Sequence, residues 1–191
     1  MNRLKTAVLI GAASLVLGVG TTAALALGRP LPGQPPSCTA PALPGAVVAV
    51  TFSDGGAMMG PGMHGGPMMR WPRMGMGMMA LRASPAAVPA GQVSLLAVNR
   101  GGLAHEVVVL PLPDGASPGQ RPVSADGEVD ESGSLGEAAR SCGAGGGEGI
   151  GPGATGWITL NLTPGRYELL CNIAGHYGSG MYTELDVAAA R

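Results

Sequence analysis

From Ala46 onward the apolar residues come in short runs closed off by Gly and Pro, and that spacing decides what the chain can fold into. The runs are 46–52 (AVVAVTF), 92–98 (QVSLLAV), 105–110 (HEVVVL), 157–162 (WITLNL), 166–171 (RYELLC) and 181–187 (MYTELDV). β-Branched and aromatic residues recur in them, and such side chains suit a half-buried pleated surface. Turn sequences separate them: Pro89-Ala90-Gly91, Asn99-Arg100-Gly101-Gly102 and Thr163-Pro164-Gly165. No strong amphipathic helix is visible outside the N-terminal leader. With a further strand expected near the end of 74–83, about seven short strands predict an all-β sandwich.

The remaining chain divides by composition. Residues 1–27 read as an export leader: Arg3 and Lys5 precede the uncharged, mostly apolar stretch from Thr6 to Leu27, and Ala24-Leu25-Ala26 suits cleavage. The stretch is also long enough to span a bilayer, so a cleaved signal and a retained membrane anchor over 6–27 both fit. Either places the rest of the chain outside the cytoplasm, in the cell envelope or secreted. Residues 28–45 form a Pro-rich linker, and 46–191 form one domain. The 34 Gly and 17 Pro make up more than a quarter of the chain, which forecasts low-complexity stretches inside that domain. Two stand out, a Met-rich insert at 55–80 and an acidic, Gly-rich insert at 111–155. The second reads as a solvated loop, with a short helix over 134–140 capped by Ser132 or Ser134. Net charge is −1 and the single lysine is Lys5, so no basic patch supports nucleic-acid binding.

Chemistry concentrates in Cys171-Asn-Ile-Ala-Gly-His176-Tyr-Gly-Ser-Gly-Met181. This segment offers a thiolate, an imidazole and a thioether, a soft set that suits copper better than hard cations. Two histidines and a cysteine with a weak axial methionine are the ligands of blue copper electron-transfer centres. Gly175, Gly178 and Gly180 are expected to supply the bends of the loop. The second imidazole is sought among the remaining histidines, and His105 opens a strand on the face shared by Val107 and Val109. Cys171 ends a strand on the face of Tyr167 and Leu169, so both donors point into the sandwich. Taken singly, an inward His or Cys is more often a core residue than a ligand. The four together make a site for one mononuclear copper ion.

Those residues resemble the cupredoxins, the small blue copper proteins, and the loop spacing is most similar to members of the sulfocyanin and auracyanin type. The resemblance covers roughly 46–54 and 81–187, and is strongest in Asn99-Arg-Gly-Gly-Leu-Ala-His105-Glu and in Cys171 to Met181. It implies a Greek-key β-sandwich with copper at one end, held by His105, Cys171, His176 and Met181. It also implies that Asn99 ties the two ligand loops together by hydrogen bonds. The function implied is the passage of single electrons between extracytoplasmic redox partners by a monomer, with no enzyme activity. His176 is expected as the electron port, with Ile173, Ala174 and Tyr177 framing an apolar docking patch.

Three further readings follow. If Cys171 binds metal, Cys38 and Cys142 remain, and in an oxidising compartment they are expected to pair; two distant free thiols are the alternative. Met58, Met59, Met63, Met68, Met69, Met74 and Met76 surround His64, and fit either an apolar loop or a second Cu(I) site with a copper-handling role. Enzyme chemistry lacks its signatures: multicopper oxidation needs more histidines, a dinuclear copper centre needs a second cysteine in the loop, and neither a P-loop lysine nor a G-x-S-x-G elbow occurs.

Overall fold

The computed structural model describes residues 38–55 and 79–189. The leader, the first part of the linker, and the suggested Cu(I) set of Met58, Met59, Met63, His64, Met68, Met69, Met74 and Met76 lie outside the described residues. Of that segment Met79 is described, and it packs against the core.

Nine strands follow in order: β1 Ala46–Ser53, β2 Ala80–Ser84, β3 Ala87–Pro89, β4 Gly91–Asn99, β5 Val107–Pro111, β6 Gly136–Ala138, β7 Thr155–Leu162, β8 Gly165–Leu170 and β9 Tyr182–Ala188. They form two mixed sheets, ordered β2-β1-β4-β7 and β3-β9-β8-β5-β6. β1 runs parallel to β4 (Ala46 opposite Val93) and β3 parallel to β9, while the other pairs are antiparallel. The chain passes from one sheet to the other after β2, β3, β4, β6 and β7, which makes an all-β sandwich.

Strand periodicity builds the core. Alternate residues of a strand share a face, and Val48, Val50 and Phe52 of β1 meet Val93, Leu95 and Ala97 of β4. From the facing sheet come Val107 and Val109, Tyr167 and Leu169, and Leu185 and Val187. Burying each Val, Leu or Phe contributes ~1.5–3 kcal/mol. The second sheet is covered on its outer face as well: Val108, Leu110 and Leu170 pack with Val129 and Tyr177.

That second layer corrects the reading of 111–155 as a solvated loop. Val129, Ala138, Ala139, Ile150 and Ala154 are all buried. The helix expected over 134–140 is instead the edge strand β6, with Ala138 opposite Val107. Ser134 caps no helix; its hydroxyl accepts from the Gly136 amide at 3.1 Å, a local turn that competes with helix formation. The short strands β3 and β6 escaped the sequence reading because three residues carry no period.

Cys38 and Cys142 form the expected disulfide, with Cα atoms 5.1 Å apart, and Cys171 is the free cysteine, buried. Among the described residues no helix is long and apolar enough to cross a membrane.

Candidate metal centre

The site forms where β5 and β8 run out at one end of the sandwich. His105 lies two residues before β5 and is held by a two-way backbone bridge to Ile150: its N–H donates to the Ile150 carbonyl at 3.1 Å, and the Ile150 N–H returns at 2.6 Å. Cys171 directly follows β8, and its N–H donates to the Met181 carbonyl at 3.0 Å, which closes the base of the loop. Gly175, at φ +81°, lets the chain reverse before His176. A 3-10 turn over Tyr177–Ser179 follows and ends on Gly180 at φ +96°. Gly178, expected at a bend, sits inside that turn without a positive φ.

The loop brings three donors together. Nδ1 of His105 and Nδ1 of His176 are 3.2 Å apart, and Sγ of Cys171 lies 3.3 Å from His176 Nδ1 and 4.0 Å from His105 Nδ1. The centre of that triangle is about 2 Å from each corner, the reach of an imidazole–metal bond. All three residues are buried, and Met181 is fully buried in the cluster that holds Cys171. Burial pushes the Cys171 thiol up to about 11, against the Glu106 and Ile173 backbone groups that pull it down. Burial and the neighbouring His105 hold His176 below its ordinary value, and the neutral form is the one that ligates a metal. A thiol at about 11 must lose its proton to a metal, so this donor set couples copper uptake to proton release.

Asn99 is buried, as its expected supporting role requires, but it ties different segments. Its Nδ2 donates to the carbonyls of Leu103 (2.7 Å) and Ile150 (2.6 Å), and its Oδ1 accepts from Gly101 N (2.8 Å). Asn99 therefore joins the His105 loop to the Ile150 segment, and not to the Cys171–Met181 loop. Asn172 links 127–131 to the Cys171–Met181 loop, beside a bond from Gly175 N to the Gly127 carbonyl: its Oδ1 accepts from Val129 N at 2.7 Å and its Nδ2 donates to the Val129 carbonyl and to Glu131. Tyr177 also departs from expectation. It faces the outer layer of the second sheet, only 2% exposed, and its hydroxyl donates to the buried Glu168 at 2.9 Å. Near the site Leu103 is 47% exposed, Ala174 is exposed and Ile173 half-buried, while Tyr177 is not at the surface.

One residue of the site was missed by the sequence reading. Asp54 lies just past β1, and its Oδ2 is 2.8 Å from Nε2 of His105, with both side chains buried. Strand parity carried the signal, since position 54 continues the inward face of Val48, Val50 and Phe52. An acid on an apolar face needs a buried partner.

A two-sheet sandwich with a buried His-Cys-His cluster at one end defines the cupredoxin class, whose cofactor is one copper ion. Residues 82–190 match the family model described as the sulfocyanin (SoxE) domain, and the chain belongs to that family. Among curated proteins none matches. Among solved structures, reduced auracyanin from the photosynthetic bacterium Roseiflexus castenholzii is 18% identical, with a TM-score of 0.42 over 75% of this chain and 99% of that one. Rusticyanin from Thiobacillus ferrooxidans is 19% identical, with a TM-score of 0.42 over 75% of this chain and 79% of that one. Auracyanin B is 20% identical, with a TM-score of 0.44 over 81% of this chain and 96% of that one.

Proposed function

We propose that this chain is an extracytoplasmic blue copper electron carrier, not an enzyme, with His105, Cys171 and His176 as the trigonal donors and Met181 as a weak axial ligand. The observation that carries the reading is the meeting of three buried donor atoms, all within 4.8 Å of one another. Copper supplies a one-electron couple between Cu(I) and Cu(II). The residues of the chain do the rest. The backbone bridges at His105–Ile150 and Cys171–Met181 hold the donors at the ends of β5, β8 and β9 of the second sheet, so little needs to move between redox states. Burial excludes water from the thiolate. His176 is 8% exposed where His105 and Cys171 are 0%, which favours its imidazole edge as the electron port. Leu103, Ile173 and Ala174 would meet a redox partner there. The Cys38–Cys142 disulfide supports an oxidising compartment.

Titration of the metal-free protein with Cu(II) tests this. One equivalent should give an intense sulfur-to-copper band in the visible and a reversible one-electron couple. Met181→Leu should keep the copper and the band while shifting the potential. A copper-loaded protein without the visible band would overturn the proposal.

A further inference from the structure

Asp54 is a buried carboxylate that the ligand set does not use, and two backbone N–H groups and a ring nitrogen of His105 converge on it. Gly102 N donates to Oδ1 at 2.9 Å, Leu103 N donates to Oδ2 at 3.0 Å, and His105 Nε2 lies 2.8 Å from the same Oδ2. An ionised carboxylate accepts and does not donate, so this arrangement fixes the Nε2 proton of His105 on the Asp54 side. The other ring nitrogen, Nδ1, then faces Cys171 and His176 with its lone pair free. The surroundings crowd the pair. The His105 ring is fully buried, with Phe52 on one side at a centroid distance of 5.4 Å. At Gly101 an added Cβ would collide with the Asp54 carboxylate and come within 3.1 Å of His105 Nε2, so the chain carries a glycine where the pair needs room.

We propose that Asp54 is a positioning residue that selects the His105 tautomer and, through its charge, biases the copper site toward the oxidised state; this rests on the ligand assignment of the preceding subsection. Its carboxylate makes the imidazole a stronger donor, and a stronger donor stabilises Cu(II) more than Cu(I). Outer partners of ligating histidines typically change metal affinity 10- to 100-fold when removed.

Asp54→Asn keeps the volume, removes the charge and leaves one acceptor oxygen for three donors. Cu(II) affinity should fall by about 10- to 100-fold, Cu(I) affinity should change less, and the potential should therefore rise. Asp114→Asn, an equal charge change at an exposed loop position, serves as the control and should leave the potential in place. A residue that only stapled the 102–103 amides would alter unfolding but not the ratio of the two affinities. Nitrogen-15 NMR of His105 in the metal-free wild type gives a second readout that needs no variant, and should show the Nε2–H tautomer. An Nδ1–H tautomer, or equal potentials in copper-loaded wild type and Asp54→Asn, would overturn the role of Asp54. A wild type that takes up no copper would instead overturn the ligand assignment.

Discussion

At the scale of single residues, the site depends on groups that touch no ligand atom. Gly101→Ala should push the Asp54 carboxylate off His105, since its Cβ has no room beside that pair. The expected loss is ~1–3 kcal/mol in urea unfolding, with a potential that rises in the same direction as for Asp54→Asn. Asn99→Ala strips a donor from the Leu103 carbonyl and from the buried Ile150 carbonyl, and exposes the two-way bridge on which His105 sits. Leaving a buried group unpaired costs about 1–3 kcal/mol, so Asn99→Ala should unfold at a lower urea midpoint with an unchanged slope. The candidate ligands themselves were legible because their chemistry is scarce and their spacing local: Cys171, His176 and Met181 fall within one loop. His105 was legible through strand parity. Asp54 and Asn172 were not read: parity turns Asp54 inward, but each acts on a partner dozens of residues away, and only tertiary packing brings the partners together.

At the scale of elements, the periodic strands were readable and the irregular ones were not. β1, β4 and β7 to β9 announce themselves through alternation, while β6 pairs only because Ala138 can lie against Val107 at a free sheet edge. The same insert supplies the outer layer that the sequence hid. There β8 carries Glu168, fully buried, which accepts from Arg121 Nε at 2.6 Å, Gly119 N at 2.7 Å and the Tyr177 hydroxyl at 2.9 Å. Burial, and then Glu168, push the Tyr177 hydroxyl up to about 12 against the opposing effect of Arg121. Through Tyr177 the network holds the turn between His176 and Met181 against the second sheet. Removing one partner of a buried pair costs about 3–5 kcal/mol, so Glu168→Ala should lose that much stability by urea unfolding, and the amides of 177–181 should exchange hydrogen faster. A loss below about 1 kcal/mol would mean that the outer layer does not support the loop.

At the scale of the whole molecule, two features span the fold. The Cys38–Cys142 bridge closes 104 residues of sequence separation, and chain entropy values such a loop at about 4–5 kcal/mol. Replacing both cysteines by alanine should lower stability by up to that amount and leave the visible band of the copper protein intact, since neither sulfur touches the site. The other feature is an acidic cleft of about 380 Å³ beside the Cys171 loop, lined by Glu106, Glu128, Glu131, Glu137 and Glu148. Burial first, and then Glu137 and Glu131, raise Glu106 to about 7 from 4.5. Burial and Glu131 raise Glu137 as well. A carboxyl raised in the folded state contributes stability that is full below its unfolded value and is lost as pH climbs through the folded one. In the metal-free protein this loss falls between about 4.5 and about 7 for Glu106. Glu184 works in the opposite sense, because Arg166 lowers it and its contribution is lost in acid. The cleft is therefore isolated by difference. Glu137→Gln removes one repelling charge, and after discount for solvent screening it should add on the order of 0.5–1 kcal/mol near pH 8 and almost nothing near pH 4. Urea unfolding of wild type and variant at both pH values measures this, and a gain that is larger in acid would contradict it.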